Sequence, residues 1–199
     1  MRLAIDLQSC QTDSRERGIG RYALGLAAAI AKRGSALQTT VLLDAIDEKR
    51  LSDVRRRLRH ESVRVPTATY AYPSTPAFTD SFQQLVDAAG LLKSRLVRGI
   101  RPDVLLSTSF FEVGSCFTAT YDIKALANIP KAVIAYDLIP VLFPDRYLPD
   151  GQFISNWYRK KLEQLKKFDL FLAISEATRE DLIQHLGIDS RRIAVILCG

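Results

Sequence analysis

Two glycines and an arginine near the start of the chain form a pattern that can bind an anion. A short apolar stretch, residues 3–7, is followed by a polar stretch, Gln8–Arg17, and then by Gly18-Ile19-Gly20-Arg21. Glycine allows a ligand to approach the main chain closely, and the free N–H groups at a helix start favour a phosphate or carboxylate. The alternative is that the glycines only cap a helix or form a turn. The length of the polar stretch favours the anion site.

Three later loops also follow predicted strands and carry polar side chains. They are Ser107–Glu112, Tyr136–Asp145 and Ser175–Arg179. In parallel sheets, ligands bind outside the carboxyl ends of the strands, so we expect these loops and the glycine loop to line one cleft.

The positions of strands and helices follow from the spacing of apolar residues. Short β-branched or apolar runs alternate with segments whose apolar residues repeat every three or four positions. The pattern predicts a Rossmann-like, doubly wound α/β fold with a mostly parallel sheet of about seven strands and helices on both faces. The predicted strands are residues 1–6, 37–43, 62–66, 102–107, 131–135, 169–174 and 191–197; the predicted helices are 19–33, 44–59, 78–99, 154–168 and the segment that Ser175 caps, with an extended loop at Pro140, Pro144 and Pro149.

Composition limits the class of protein. The chain has 199 residues, of which 47% are hydrophobic and 25% charged. No apolar run approaches the roughly 18 to 20 residues of a spanning helix, and the first residues read as a strand and not as a signal peptide, which predicts a cytoplasmic protein. The cysteines and histidines have no metal-type spacing, so neither a disulfide nor a metal is expected. These residues are Cys10, Cys116, Cys198, His60 and His185.

Two basic segments admit more than one interpretation. The net charge of +6 attracts acidic partners without selecting one. The arginine run at residues 55–59 lacks interleaved aromatic residues, so we interpret it as a solvated helix face and expect no nucleic acid partner. Residues 91–101, which include Lys93, suit core packing with a basic helix end, and they also suit contact with an anionic membrane.

Four motifs, taken in order, resemble the N-terminal half of a family 4 glycosyltransferase, a retaining enzyme with two Rossmann domains in the GT-B arrangement. The resemblance runs along nearly the whole chain. The motifs are Arg17-Gly-Ile-Gly-Arg-Tyr22, Asp103-Val-Leu-Leu-Ser-Thr108, Tyr136-Asp-Leu-Ile-Pro140 with Pro144 and Tyr147, and Leu172-Ala-Ile-Ser-Glu-Ala-Thr-Arg-Glu-Asp-Leu182.

The resemblance implies roles for particular residues. The N-terminal domain would hold the acceptor and face the phosphates of a nucleotide-sugar donor, and no cofactor or metal would be needed. Many family members have a histidine where this chain has Tyr136, and tyrosine, with an ordinary pKa near ~10, is a poor base at neutral pH. The implied residues are Gly18, Ile19, Gly20 and Arg21 for the donor phosphates, Tyr136 and Asp137 for catalysis, and Ser107, Ser109, Glu176 and Arg179 for the acceptor and cleft. Tyr136 and Asp137 could also simply begin the turn before Pro140, and Ser175 and Glu176 have a purely structural use as a helix cap.

The expected function is therefore that of a glycosyltransferase domain. The resemblance implies hexosyl transfer, with mannosyl and rhamnosyl transfer as options, to a glycan or lipid-linked acceptor in bacterial polysaccharide synthesis. Residues 1–199 would form a single acceptor-side domain, without the C-terminal nucleotide-sugar domain, and the chain alone would be inactive. An NAD-dependent oxidoreductase is one alternative, because Gly18-Ile-Gly-Arg-Tyr-Ala23 also fits a dinucleotide fingerprint. The other is a half-domain that binds glycan or lipid without catalysis. The expected location is the cytoplasm, with peripheral contact at the inner face of the membrane as an option.

Overall fold

The computed structural model describes residues 1–33, 37–45, 47–61, 64–71, 82–112 and 121–197. The chain divides into two compact units, Met1–Pro130 and Lys131–Gly199. In each unit, parallel strands alternate with helices. Cys116 and Cys198, for which neither a disulfide nor a metal is expected, lie outside the described residues.

The first unit is a parallel sheet with the strand order β3-β2-β1-β4. Asp6, the last residue of β1, lies beside Ser107, the last residue of β4, so the carboxyl ends of these two strands are level. Asp6 also lies beside Leu42 of β2, which continues to Asp44. The elements are β1 (Arg2–Asp6), a 3-10 helix (Gln8–Gln11), α1 (Gly18–Lys32), β2 (Gln38–Asp44), α2 (Glu48–His60), β3 (Thr67–Tyr70), α3 (Phe82–Ile100) and β4 (Val104–Ser107).

Local sequence explains these helices. Helix α1 buries Ala23, Leu24, Ala27 and Ala28, which share one face at helical spacing. Helix α2 begins at an aspartate cap, where the side chain of Asp47 accepts a hydrogen bond from the backbone N–H of Arg50 at 3.0 Å.

The second unit contains the parallel strands β5-β6-β7 in sequence order. Helix α7 begins at Ser175, whose hydroxyl accepts from the N–H of Thr178 at 3.1 Å, and it ends at Gly187 with a φ of 66°. Glycine suits this left-handed position because it has no Cβ. The elements are β5 (Lys131–Ala135), α4 (Ile139–Leu142), α5 (Pro144–Tyr147), α6 (Phe153–Leu165), β6 (Leu170–Ala173), α7 (Glu176–Leu186), a second 3-10 helix (Ser190–Arg192) and β7 (Ile193–Val195).

The seven strands of the described ranges confirm the predicted Rossmann-like α/β class. The third strand, however, was predicted at residues 62–66 and lies at Thr67–Tyr70. Pro66 has no N–H to donate, and only its carbonyl joins the sheet, where it accepts from Val41 at 2.9 Å. The β-branched Thr67 and Thr69 that follow suit a strand better.

The loop after Asp137 also differs from the expected extended conformation. It contains the short helices α4 and α5, with Pro140 and Pro144 in their first turns. Proline is tolerated there because the first N–H groups of a helix have no intrahelical partner and its φ is already helical.

None of the helices within the described ranges has the length and apolar character needed to cross a membrane.

Candidate functional site

A buried polar cluster lies at the carboxyl ends of the strands in the first unit. Asp6 ends β1, and Gln8 opens the 3-10 helix that follows it. The two side chains are only 3% and 2% exposed. Buried polar groups need partners, so the contacts of this cluster define how the chain is held at this edge.

An ion pair between Lys93 and Asp6 is the centre of the cluster. The Nζ of Lys93, which is fully buried, lies 2.5 Å from Oδ2 of Asp6. The hydroxyl of Tyr121 donates to the same carboxylate oxygen. Burial lowers the pKa of Lys93, and the neighbouring Asp6 carboxylate acts in the opposite direction. The pair therefore compensates two charges that would each be costly to bury alone.

Gln8 connects this ion pair to the third strand. Its side-chain oxygen accepts from the Tyr70 hydroxyl at 2.7 Å and from Lys93 Nζ at 3.1 Å. Its backbone N–H donates to Oδ1 of Asp6 at 3.1 Å. Lys93 Nζ also lies 4.6 Å from the ring centre of Tyr121. Lys93 thus joins the ends of β1 and β3 and fixes the start of the 3-10 helix.

A second set of hydrogen bonds extends the cluster toward the glycine loop. Glu112, which is 7% exposed, accepts from the hydroxyls of Thr12 and Ser109, each at 2.9 Å. Ser107 and Ser109 were predicted to line a cleft, and both are buried here. The Ser107 hydroxyl donates to the backbone oxygen of Ser109 at 3.4 Å. The two serines therefore support the loop from inside.

Gly20 has a packing role in the glycine loop. A Cβ on Gly20 would lie 2.6 Å from the backbone of Ser14 and of Arg15, so no side chain fits there. Its N–H donates to the backbone oxygen of Ser14 at 3.2 Å. The thiol of Cys10 donates to the Gly20 oxygen at 3.5 Å, and burial raises the pKa of this thiol to about 12.

Fewer backbone N–H groups of the glycine loop are therefore free to bind an anion than the sequence predicts. The Arg21 N–H makes the first helical hydrogen bond, to the oxygen of Arg17 at 3.1 Å. Gly18 is exposed, with open space where a Cβ would be, and its N–H has no acceptor among the described residues. The Arg21 side chain is exposed and has no ion-pair partner in the same ranges. Ile19 is half-buried beside them.

Two arginines of α2 hold the polar stretch before the glycines. Arg50 donates to the oxygen of Gln11 at 2.7 Å, and Arg57 donates to the oxygen of Arg15 at 3.3 Å and lies 3.5 Å from Glu16. Part of the arginine-rich helix is thus a support for the loop and not a solvated face.

The remaining predicted site residues belong to the second unit. Tyr136 is half-buried, and its backbone oxygen accepts from the Thr178 hydroxyl at 2.9 Å. Asp137 is exposed, and its Oδ1 accepts from the N–H of Ile139 at 3.1 Å. Burial, followed by the Asp137 charge, raises the pKa of Tyr158. The hydrogen bond to Ile139 is the turn-forming role that the sequence left open for Asp137.

Helix α7 brings its first turn to Tyr136. Thr178 bonds the Tyr136 carbonyl and also the Ser175 hydroxyl, at 3.0 Å. The exposed Glu176 and the half-buried Arg179 flank this contact, 3.9 Å apart. The structure therefore connects Tyr136 with the start of α7.

Sequence reasoning missed the buried cluster. Lys93 was predicted only as one basic residue of a helix end, suited either to core packing or to membrane contact, and it occupies the buried stripe of α3 with Val86, Ala89 and Val97. That spacing of three, four and four was a readable signal, because a lysine on an apolar stripe must find a buried partner. Asp6 and Tyr121 were also missed, whereas Gln8 and Glu112 belong to loops that were predicted to line the cleft.

The described ranges contain no group of three or more His, Cys, Asp or Glu residues arranged to hold a metal ion.

Comparisons with known sequences show the family. The model of Glycosyltransferase Family 4 matches residues 17–199. A serotype-specific mannosyltransferase, WbdA from Escherichia coli, is 30% identical across 97% of this chain. The chain spans 23% of the length of that relative.

Solved structures show the same fold at low sequence identity. Glycyrrhiza uralensis UGT73P12, complexed with glycyrrhetinic acid 3-O-monoglucuronide, gives a TM-score of 0.62 at 13% identity over 100% of this chain and 48% of its own. UDP-GlcNAc 2-epimerase from Neisseria meningitidis, bound to UDP-GlcNAc, gives 0.61 at 14% identity over 98% and 46%. Arabidopsis thaliana UGT89C1, complexed with UDP-L-rhamnose, gives 0.56 at 14% identity over 98% and 51%. The fold is shared with these proteins, and the family-model match over residues 17–199 shows that this chain belongs to glycosyltransferase family 4.

Proposed function

We propose that this chain is the acceptor-side part of a retaining glycosyltransferase that transfers a hexose from a nucleotide sugar to a glycan or lipid-linked acceptor in polysaccharide synthesis. The family match over residues 17–199 carries this proposal. Similarity to a mannosyltransferase across 97% of the chain favours mannose as the transferred sugar. The nucleotide-sugar-binding half would be supplied by a second domain of the whole protein.

The donor diphosphate is proposed to bind at the first turn of α1. The Gly18 N–H has no acceptor among the described residues, and the exposed Arg21 side chain adds a fork-shaped cation. Departure of a nucleoside diphosphate builds up negative charge, and fixed donors aimed at that charge lower the barrier. In this proposal Ile19 contributes backbone from the same turn, while Gly20 shapes the loop. Two of the structurally similar proteins are complexed with UDP sugars, which agrees with such a donor.

Tyr136 and Asp137 are proposed to contact the transferred sugar or the acceptor. The Tyr136 phenol suits hydrogen bonding more than proton abstraction at neutral pH. Asp137 is exposed and keeps one carboxylate oxygen beyond the one that accepts from Ile139. Glu176 and Arg179 would add polar contacts from the start of α7, and Ser107 and Ser109 would act from beneath the glycine loop.

The two other candidate functions are not equally supported. A nicotinamide-dependent oxidoreductase loses its support, because the family match includes the glycines on which it rested. A half-domain that binds glycan or lipid without catalysis stays as the rival, since tyrosine occupies position 136 where many family members have histidine.

Peripheral contact with an anionic membrane at the cytoplasmic side is also part of the proposal. The residues that could contact the membrane differ from the predicted ones, because Lys93 is buried. The exposed leucines and arginines of the same helix are Leu91, Leu92, Arg95 and Arg98.

The test of the donor site is a transfer assay with the full-length protein that contains this chain. We expect sugar transfer from a nucleotide-activated mannose to a mannose-terminated acceptor, and we expect Arg21→Gln to lower kcat by about 100-fold. Arg33→Gln, at the exposed opposite end of α1, is the matched control and should leave kcat unchanged. Absence of transfer by the unmodified protein from any nucleotide sugar, together with retained acceptor binding, would favour the binding-only rival.

A further inference from the structure

A groove lies at the amino end of β3, away from the cluster at the carboxyl ends of the strands. It has a volume of about 530 Å³ and lies between the end of α2 and the residues that lead into β3. We call it the arginine groove, because Arg55, Arg59 and Arg64 line it together with Leu58, Val65 and Pro66. The predicted donor site does not use any of these residues.

No acidic side chain of the described residues pairs with the arginines of the arginine groove. Other arginines of α2 have acidic partners: Arg50 lies 3.1 Å from Asp47, and Arg56 contacts Asp53. Arg55, Arg59 and Arg64 have no ion-pair partner among the described residues. Glu61, the acid nearest in sequence to Arg59 and Arg64, instead pairs with Lys32 at 3.2 Å. Three arginines therefore line one groove without an ion-pair partner in the part of the chain that the structure describes.

Guanidinium groups recognise phosphate because their planar N–H donors match two phosphate oxygens at once. Leu58, Val65 and Pro66 add apolar lining that could contact the organic part of a phosphate ester. The volume falls in the range of small-molecule sites, about 300–1,000 Å³. We propose that Arg55, Arg59 and Arg64 form a second anion site, which binds the phosphate group of a phosphate ester or free phosphate.

The experiment is calorimetric titration of the full chain at low ionic strength with inorganic phosphate and with pyrophosphate. We expect saturable binding, with Kd raised about ten-fold by each of Arg55→Gln, Arg59→Gln and Arg64→Gln, and binding lost in the triple variant. A control triple variant, Arg33→Gln with Arg56→Gln and Lys167→Gln, changes exposed positions outside the groove and outside every proposed binding face. It removes the same charge and should leave Kd unchanged. Arg21→Gln should also leave it unchanged, which separates this groove from the donor site.

Co-sedimentation with phosphatidic acid vesicles distinguishes the source of the phosphate. Vesicle binding that the groove triple variant loses assigns the site to a lipid headgroup, and binding of soluble phosphate alone assigns it to a free phosphate ester.

The proposal is overturned if neither probe binds, if the control triple variant weakens binding equally, or if Arg21→Gln alone abolishes it. Tighter binding of a single-stranded oligonucleotide that displaces phosphate from the groove would also overturn it in favour of nucleic acid. Circular dichroism of each variant confirms that these surface changes leave the fold intact.

Discussion

At the scale of single residues, the buried Lys93–Asp6 pair carries a specific prediction about stability. Replacing Lys93 by methionine leaves Asp6 buried without its cation, so we expect the free energy of unfolding to fall by about 3–5 kcal/mol. Urea denaturation followed by circular dichroism measures this change.

Lys32→Met is the matched control for Lys93→Met. Lys32 also has an acidic partner, Glu61 at 3.2 Å, but both side chains are about half exposed. We expect a loss of about 0–1 kcal/mol. Combining Lys93→Met with Asp6→Asn should recover part of the stability, and equal losses for the two lysine variants would contradict the assigned role of the buried pair.

Cys10 gives a prediction about pH and reactivity. Its pKa in the folded state is raised from 9.0 to about 12, chiefly by burial. The buried neutral thiol therefore contributes fully to the free energy of unfolding below pH 9, and this contribution is lost as the pH rises toward 12. At pH 8 the thiolate fraction should be about a thousand-fold lower than in the unfolded chain, so Cys10 should resist iodoacetamide unless denaturant is present. Peptide mass mapping checks this, and rapid labelling of Cys10 in the native protein would refute it.

Residue identity alone revealed only part of the site. The exposed Arg21 and Asp137 were recognisable because a polar residue after a strand, next to glycine or proline, has few structural uses. Asp6 and Lys93 are far apart in sequence, and their pairing depends on how α3 packs on the first sheet, where it contacts β3. No local pattern gives that distance, although the position of Lys93 on an apolar stripe hints at burial.

At the scale of elements, the glycine loop depends on one close contact. Gly20→Ala would place a methyl group 2.6 Å from the backbone of Ser14 and Arg15, so we expect a loss of about 2–3 kcal/mol in the free energy of unfolding. Gly25→Ala, in the same helix with open space around the new Cβ, should instead stabilise the protein by about 0.5–1 kcal/mol. Thermal and urea unfolding of the two variants measure the difference. A Gly20→Ala variant as stable as the unmodified protein would mean that the loop moves away at little cost.

The elements were predictable where a strong local pattern agrees with the tertiary packing. Ser175 was predicted to cap a helix, and its hydroxyl accepts the Thr178 N–H as expected. The prediction for β3 was wrong because the apolar residues before Pro66 suggested a strand, whereas pairing with β2 selects the residues after it. The proline loop was misjudged because proline both breaks a helix and begins one, and sequence alone does not decide between the two.

At the scale of the whole molecule, the net charge and the exposed face of α3 predict membrane association. We expect the chain to co-sediment with phosphatidylglycerol vesicles at low salt and to dissociate as ionic strength rises, because screening weakens the attraction. The double variant Leu91→Gln and Leu92→Gln should lower the bound fraction several-fold. Leu197→Gln, at an exposed leucine outside α3, is the control. Binding that is insensitive to both salt and the leucines would exclude this part of the proposal.

The order of the motifs along the chain predicted the fold class more reliably than any single motif did. Repeated strand and helix signals fix a parallel α/β sheet, because parallel strands need crossover connections and these are usually helices. The roles of Tyr136 and of the glycine loop in transfer stay predictions, since they depend on a donor and an acceptor.

The position of β3 at one side of the first sheet has a consequence for handling the protein. An outer strand exposes backbone donors and acceptors that can pair with another chain and start aggregation. Here that strand has only four residues, Pro66 precedes it, and Arg64 lies just before the proline. These features limit self-association, so a change such as Pro66→Val combined with Arg64→Val should make concentrated solutions turn turbid while the folded monomer keeps its spectrum.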